Sequence, residues 1–113
     1  MPRSALAAAR SGGSAPVFAA LGDETRLQLV SRLCEQGPLS ITRLASGAKV
    51  TRQAIAKHLR VMERAGLIRG SARGRERIWE IEKRRLEVAR RYLELISQQW
   101  DGALERLRAL VES

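Results

Sequence analysis

The chain has one cysteine, Cys34, one histidine, His58, and very few aromatic side chains. A lone thiol excludes an intramolecular disulfide and any CxxC pair. One thiol and one imidazole on different elements cannot supply the converging ligands of a transition-metal site, even across a twofold axis. There is no paired Cys/His, no Ser/His/Asp set and no Gly-rich phosphate loop, so no enzyme, cofactor or metal is expected. No apolar run is long enough to span a bilayer. The N-terminus, MPRSALAAARSGGSAP, lacks the continuous apolar core of a signal peptide. A cytoplasmic protein without a membrane partner is the expectation. With aromatics at 4%, the core must be built mainly from Leu, Ile, Val and Ala.

Basic charge is abundant, and it is localised. The formal net charge is +9. Residues 49–77 hold Lys49, Arg52, Lys57, Arg60, Arg64, Arg69, Arg73, Arg75 and Arg77 against Glu63 and Glu76, a net of +7. Residues 1–48 carry +2 and residues 78–113 balance to zero. A concentrated basic segment points to a nucleic-acid partner more than to general solubility.

That segment contains TRQAIAKHLRVMERA, residues 51–65, which reads as a DNA recognition helix. Thr51 is placed as its N-cap. Ile55, Leu59 and Met62 recur at helical spacing and define a buried face, while Arg52, Gln53, Lys57 and Arg60 fall largely on the others. The pattern alone also fits an ordinary amphipathic helix with a solvated basic face, so the neighbouring segments decide. Ser40 caps a short helix, SITRLAS, that ends at Gly47; Ala48-Lys49-Val50 then turns into the basic helix. Two helices joined by a tight turn form a helix-turn-helix pattern.

Upstream, residues 1–15 read as a flexible tail, with Ser11-Gly12-Gly13-Ser14 its loosest part. Pro16 opens a short helix, PVFAAL, with Phe18 and Leu21 inward. Asp23 caps DETRLQLVSRLCEQ, whose apolar stripe is expected to be Leu27, Val30, Leu33 and Cys34; Gly37 and Pro38 stop it. On that stripe Cys34 is a packed thiol. Downstream, Gly66 ends the recognition helix. Leu67–Ala72 and Glu76–Ile81 pair as strands around Arg73-Gly74-Arg75. Trp79 and Ile81 share one face of the second strand. Arg69, Arg73, Arg75 and Arg77 occupy the first strand, the tip and the second strand, a basic hairpin whose tip is suited to a DNA backbone or minor groove; the alternative is a solvated hairpin whose arginines discourage edge pairing.

The last third, 83–113, is one long helical pattern. Leu86, Ala89, Leu93, Ile96, Trp100, Ala103, Leu107 and Leu110 alternate spacings of three and four, as in a coiled-coil seam. So small a domain cannot cover a helix of this length, and a homodimer joined through it is expected.

The segments FAALGDETRLQLVSRL, LSITRLASGAKVTRQAIAKHLRVMERAGLI and GRERIWEI resemble the ArsR/SmtB family of bacterial winged-helix repressors. The most specific part is His58-Leu59-Arg60-Val61 with Ala65-Gly66-Leu67-Ile68. The resemblance implies a mostly α fold with a small β-hairpin wing: a winged helix-turn-helix over 16–82 and a C-terminal dimerisation helix. It implies a homodimer whose recognition helices enter successive major grooves of an imperfect palindrome. Thr51, Arg52, Gln53, Lys57 and His58 would line the DNA side; His58 could equally be a packing residue. Metal-responsive members carry a Cys-x-Cys pair before the recognition helix, or Asp and His ligands on the terminal helix. Here SITRLAS has no cysteine and the terminal helix no histidine, which argues against metal or arsenite sensing.

The main expectation is therefore a dimeric repressor that binds double-stranded operator DNA. Lys49, Thr51, Arg52, Gln53, Lys57, His58, Arg60, Arg73, Arg75 and Arg77 are the candidate contacts. Two alternatives have the same fold: a protein-interaction module that binds no DNA, and a redox sensor using Cys34. A small-molecule inducer could sit between the terminal helices near Tyr92, Ile96 and Trp100, residues that serve equally as plain interface core.

Overall fold

A computed structural model describes residues 14–112. The expected tail lies outside the described residues except for its end, where the expectation fails. Ser14 is buried, and Ala15 already belongs to helix α1 (Ala15–Leu21), with Pro16 tolerated in its first turn. Val17 and Ala20 are the fully buried residues of α1; Phe18 and Leu21, expected to lead, pack only partly against the core.

Helix α2 (Glu24–Gln36) starts at Asp23, whose carboxylate accepts the main-chain N–H of Arg26 at 2.9 Å. It stops at Gly37, where φ is +80°, a conformation that a Cβ would disfavour. Its buried line is Leu29 and Leu33, with Val30 half-buried. This corrects the expected stripe. Residues advance by about 100° around a helix, so Leu27 sits nearly opposite Leu29 and is 49% exposed. Cys34 lies on the Val30 side in the last turn, beyond the core's edge, and is exposed. The burial expected to keep its thiol inert is absent.

After Pro38 the chain forms a strand too short to be seen in the sequence, β1 (Leu39–Ser40). Ser40 then caps α3 (Ile41–Ala45), accepting the Arg43 N–H at 3.2 Å. So short a helix leaves carbonyls unpaired at its C-terminus. Arg32 of α2 supplies donors, with Nη1 donating to the Leu44 carbonyl at 2.8 Å and Nη2 to the Arg43 carbonyl at 2.9 Å. The guanidinium fork thereby fixes the start of the turn between α3 and the next helix. Replacing Arg32 by Ala should destabilise the fold by about 1–3 kcal/mol, since two charge-assisted bonds are lost and the Leu44 carbonyl loses its donor. Arg32→Lys should recover only part, because lysine has no fork. Denaturant unfolding of the three proteins checks this.

Helix α4 (Arg52–Arg64) begins at Thr51, whose hydroxyl accepts the Ala54 N–H at 3.1 Å. It buries Ile55, Leu59 and Met62, as their spacing predicts. Its end is a Schellman motif: the Leu67 N–H bonds the Met62 carbonyl at 3.0 Å and the Gly66 N–H bonds that of Glu63 at 3.0 Å. Gly66 takes the positive φ, +77°, that this closure requires. Met62 and Leu67, the apolar pair that accompanies such an ending, are both 0% exposed.

Strands β2 (Ile68–Arg73) and β3 (Glu76–Ile81) form the hairpin. Arg73 pairs with Glu76, so the loop is Gly74-Arg75, one residue shorter than the tip read from the sequence. Gly74 alone has positive φ, the pattern of a type II′ turn. The sheet order is β1-β3-β2, with Leu39 opposite Trp79. Helix α5 (Lys83–Glu112) follows at once. Its 30 residues span about 45 Å at 1.5 Å each. None of the helices among the described residues is long and apolar enough to cross a membrane.

Candidate nucleic-acid interface

The core holds α4 from behind. Ile55 and Leu59 are 1% exposed and Met62 is 0% exposed. The opposite faces are open: Thr51, Arg52, Gln53, Lys57 and Arg60 are all exposed, as is Lys49 in the preceding turn. Among the described residues no carboxylate pairs with Lys49, Arg52, Lys57 or Arg60. Unpaired guanidinium and ammonium groups around a helix start, with an amide beside them, can donate to phosphate oxygens and to base edges. The hairpin tip adds Arg73 and Arg75, also exposed and, among the described residues, without a carboxylate partner.

Two candidates are placed differently. The His58 imidazole turns towards α2 and is only 22% exposed. Its Nδ1 lies 3.2 Å from Arg26 Nη1 and 3.8 Å from Asp23 Oδ2. An arginine can only donate, so Nδ1 accepts, and the neutral ring carries its proton on Nε2. Arg26 also donates from Nε to the Ala20 carbonyl at 2.6 Å. One side chain thus links the end of α1, the start of α2 and the outer helix α4. The capping bond from the Arg26 N–H holds the Asp23 carboxyl below its ordinary range, helped by the charge of Arg26. Of the two roles open to His58, this geometry is the packing one.

Arg77 is the second. Its Nη2 donates to Glu63 Oε2 of α4 at 3.1 Å, and its guanidinium lies 5.0 Å from the centre of the Trp79 ring. It runs back along the hairpin and does not project from the tip. Sequence reasoning passed over Arg26, Arg32 and Glu63. A signal existed for Arg32, which falls beside Leu33 and three residues after Leu29, at the border of the buried line. One existed for Arg77 as well, since it alternates with Trp79 and so shares its face.

On α5 the expected seam divides. Ala89 is 4% exposed and belongs to the chain's own core, with Leu86 packed beside it. Tyr92 meets Phe18 of α1, ring centroids 6.2 Å apart. Beyond this point the seam is bare: Leu93, Ile96, Trp100, Leu107 and Leu110 are 42–75% exposed, and Ala103 is half-buried. The described residues contain no group of three or more His, Cys, Asp or Glu placed to hold a metal ion.

Comparison with known proteins agrees with this geometry. Residues 21–71 match the model of a helix-turn-helix domain. The HTH-type transcriptional regulator Rv2034 of Mycobacterium tuberculosis is 33% identical over 94 residues, covering 83% of this chain and 84% of that protein. YuzN of Bacillus subtilis, an uncharacterized HTH-type transcriptional regulator, is 38% identical over 74 residues, 60% of this chain and 80% of its own. Among solved structures, an ArsR-like transcriptional regulator from Rhodococcus sp. RHA1 superposes with a TM-score of 0.75 at 36% identity, covering 89% of this chain and 93% of that one. The chain belongs to the ArsR family. As an ArsR-family protein it is a transcriptional regulator with a winged helix-turn-helix DNA-binding fold. In ArsR terms α3 and α4 are the helix-turn-helix, the β2–β3 hairpin is the wing, and α5 is the long terminal helix.

Proposed function

We propose that this ArsR-family protein is a homodimeric repressor that binds an imperfect palindrome, with α4 of each protomer in a major groove and the wing against the adjacent backbone. The observation that carries the reading is the split character of α4. One face is sealed in the core; the other presents Arg52, Gln53 and Lys57 unpaired at the helix start. Arg52 and Gln53 are assigned to base edges, with Arg suited to guanine and Gln to adenine. Lys49, Thr51, Lys57 and Arg60, with the tip residues Arg73 and Arg75, are assigned to phosphates. The bare half of α5 is assigned to the second protomer. It offers an apolar seam in heptad spacing that the chain's own core leaves uncovered.

The two kinds of contact have separable signatures. Arg52→Ala should relax discrimination at one base pair by about 1–3 kcal/mol. Arg75→Ala should weaken every sequence alike and lower the salt slope by about one. Titrating a set of operator point variants with both proteins checks this. Unchanged sequence preference on Arg52→Ala would remove that residue from the base-reading set.

A further inference from the structure

We propose that Arg77 is a positioning residue and not a DNA ligand: it clamps the outer half of the wing to the recognition helix through Glu63, in a slot above Trp79 that Gly70 keeps open. This rests on the reading of the hairpin as a DNA-contacting wing.

Residues 71–77 are all exposed, so no core packing fixes where the outer hairpin points. The inner half is anchored by Ile68, 2% exposed, and Trp79, 7% exposed. Arg69 pairs with Glu80 and Glu82, next to the same hairpin, and fixes nothing relative to α4. Among the described residues, the Arg77–Glu63 pair is the one ion pair between the outer hairpin and that helix. Its path is specific. Gly70 lies directly across from Trp79 in the sheet. A Cβ at Gly70 would stand 2.5 Å from Arg77 Nε and 3.0 Å from the Trp79 ring. The missing side chain leaves the room in which the guanidinium crosses the indole and meets the carboxylate.

An exposed pair adds little to global stability. Its effect is on direction: a two-stranded arm pivoting at its base is held at one further point. Glu63 makes the two roles distinguishable. A carboxylate beside a DNA-binding surface repels phosphate, so if its only effect were electrostatic, removing it would tighten binding. If it holds the wing, removing it loosens binding.

The test uses the full chain carrying Glu63→Met, Arg77→Met, both together, or Gly70→Ala. In the free protein, residual dipolar couplings report the orientation of the 71–77 amides relative to α4. The clamp predicts reorientation in every variant, with α4 couplings unchanged; a hairpin that keeps its orientation in Glu63→Met and Arg77→Met overturns it. With operator DNA, the clamp predicts that Glu63→Met and Arg77→Met each weaken binding about three- to tenfold, and the double variant no more than either. It also predicts a salt slope equal to the wild type's. A slope lowered by about one in Arg77→Met, or tighter binding by Glu63→Met, overturns it. If the wild type shows no preference for operator over scrambled DNA, the repressor reading fails, and the free-protein couplings still decide the clamp.

Discussion

Leu59→Ala should cost the fold about 2–5 kcal/mol, while Arg60→Ala one residue later should stay within about 0.5 kcal/mol of the wild type. Leu59 is 1% exposed and belongs to the buried cluster to which all five helices and the sheet contribute. Truncation removes its transfer free energy and leaves a cavity that neighbours from several elements cannot jointly close. In a domain of this size each kcal/mol lowers the melting temperature by about 4–8 °C, so a fall of about 8 °C or more is expected. The contrast follows from the orientation of α4, because Arg60 faces solvent. On DNA the order reverses: Arg60→Ala should weaken binding of a fully folded protein. Calorimetry alongside DNA titration reads both. Equal melting temperatures for the two variants would mean that α4 is rotated from the orientation described.

The second large effect belongs to α5. Leu107→Asp, or Leu93→Asp, should leave the proposed dimer a folded monomer at micromolar concentration. Leu107 is 57% exposed and Leu93 54% exposed, so neither change disturbs the packed core. In a dimer each would bury a carboxylate without a partner, which costs far more than the lost apolar contact. Once separated, the two recognition helices no longer bind as one unit, and operator affinity should fall by about 10²–10⁴-fold. Sedimentation gives the first result and titration the second. A Leu107→Asp protein that stays dimeric would move the interface off the distal half of α5.

The architecture was legible in the sequence because its boundaries are written in single residues. Asp23, Ser40 and Thr51 each accept the N–H that a helix start leaves unpaired, and Gly37, Gly66 and Gly74 occur where φ is positive. The spacing of Ile55, Leu59 and Met62 fixed the inner face of α4 and hence which basic residues it exposes. What failed had weaker determinants. In α2, five apolar residues are spread around the helix, and only the packing partners decide that Leu29 and Leu33 go inside while Leu27 and Cys34 stay out. Strand β1 is two residues long and owes its existence to a neighbour far along the chain, opposite Trp79 and Ile78. The roles of Arg26, Arg32 and Arg77 depend on atoms from other elements: a carbonyl, a turn, an indole. Local pattern marks them only as basic residues. Charge counting therefore found the basic region but could not separate arginines that hold the scaffold from those left unpaired.

The most direct test of the central claim is a salt series measuring binding of the purified protein to DNA from upstream of its own gene and to a scrambled duplex. The account predicts preferential binding to the upstream DNA, a protected site with half-sites about one helical turn apart, and a steep salt dependence on both duplexes. Equal affinity for the two duplexes across upstream fragments, or no binding even at low salt, would contradict it.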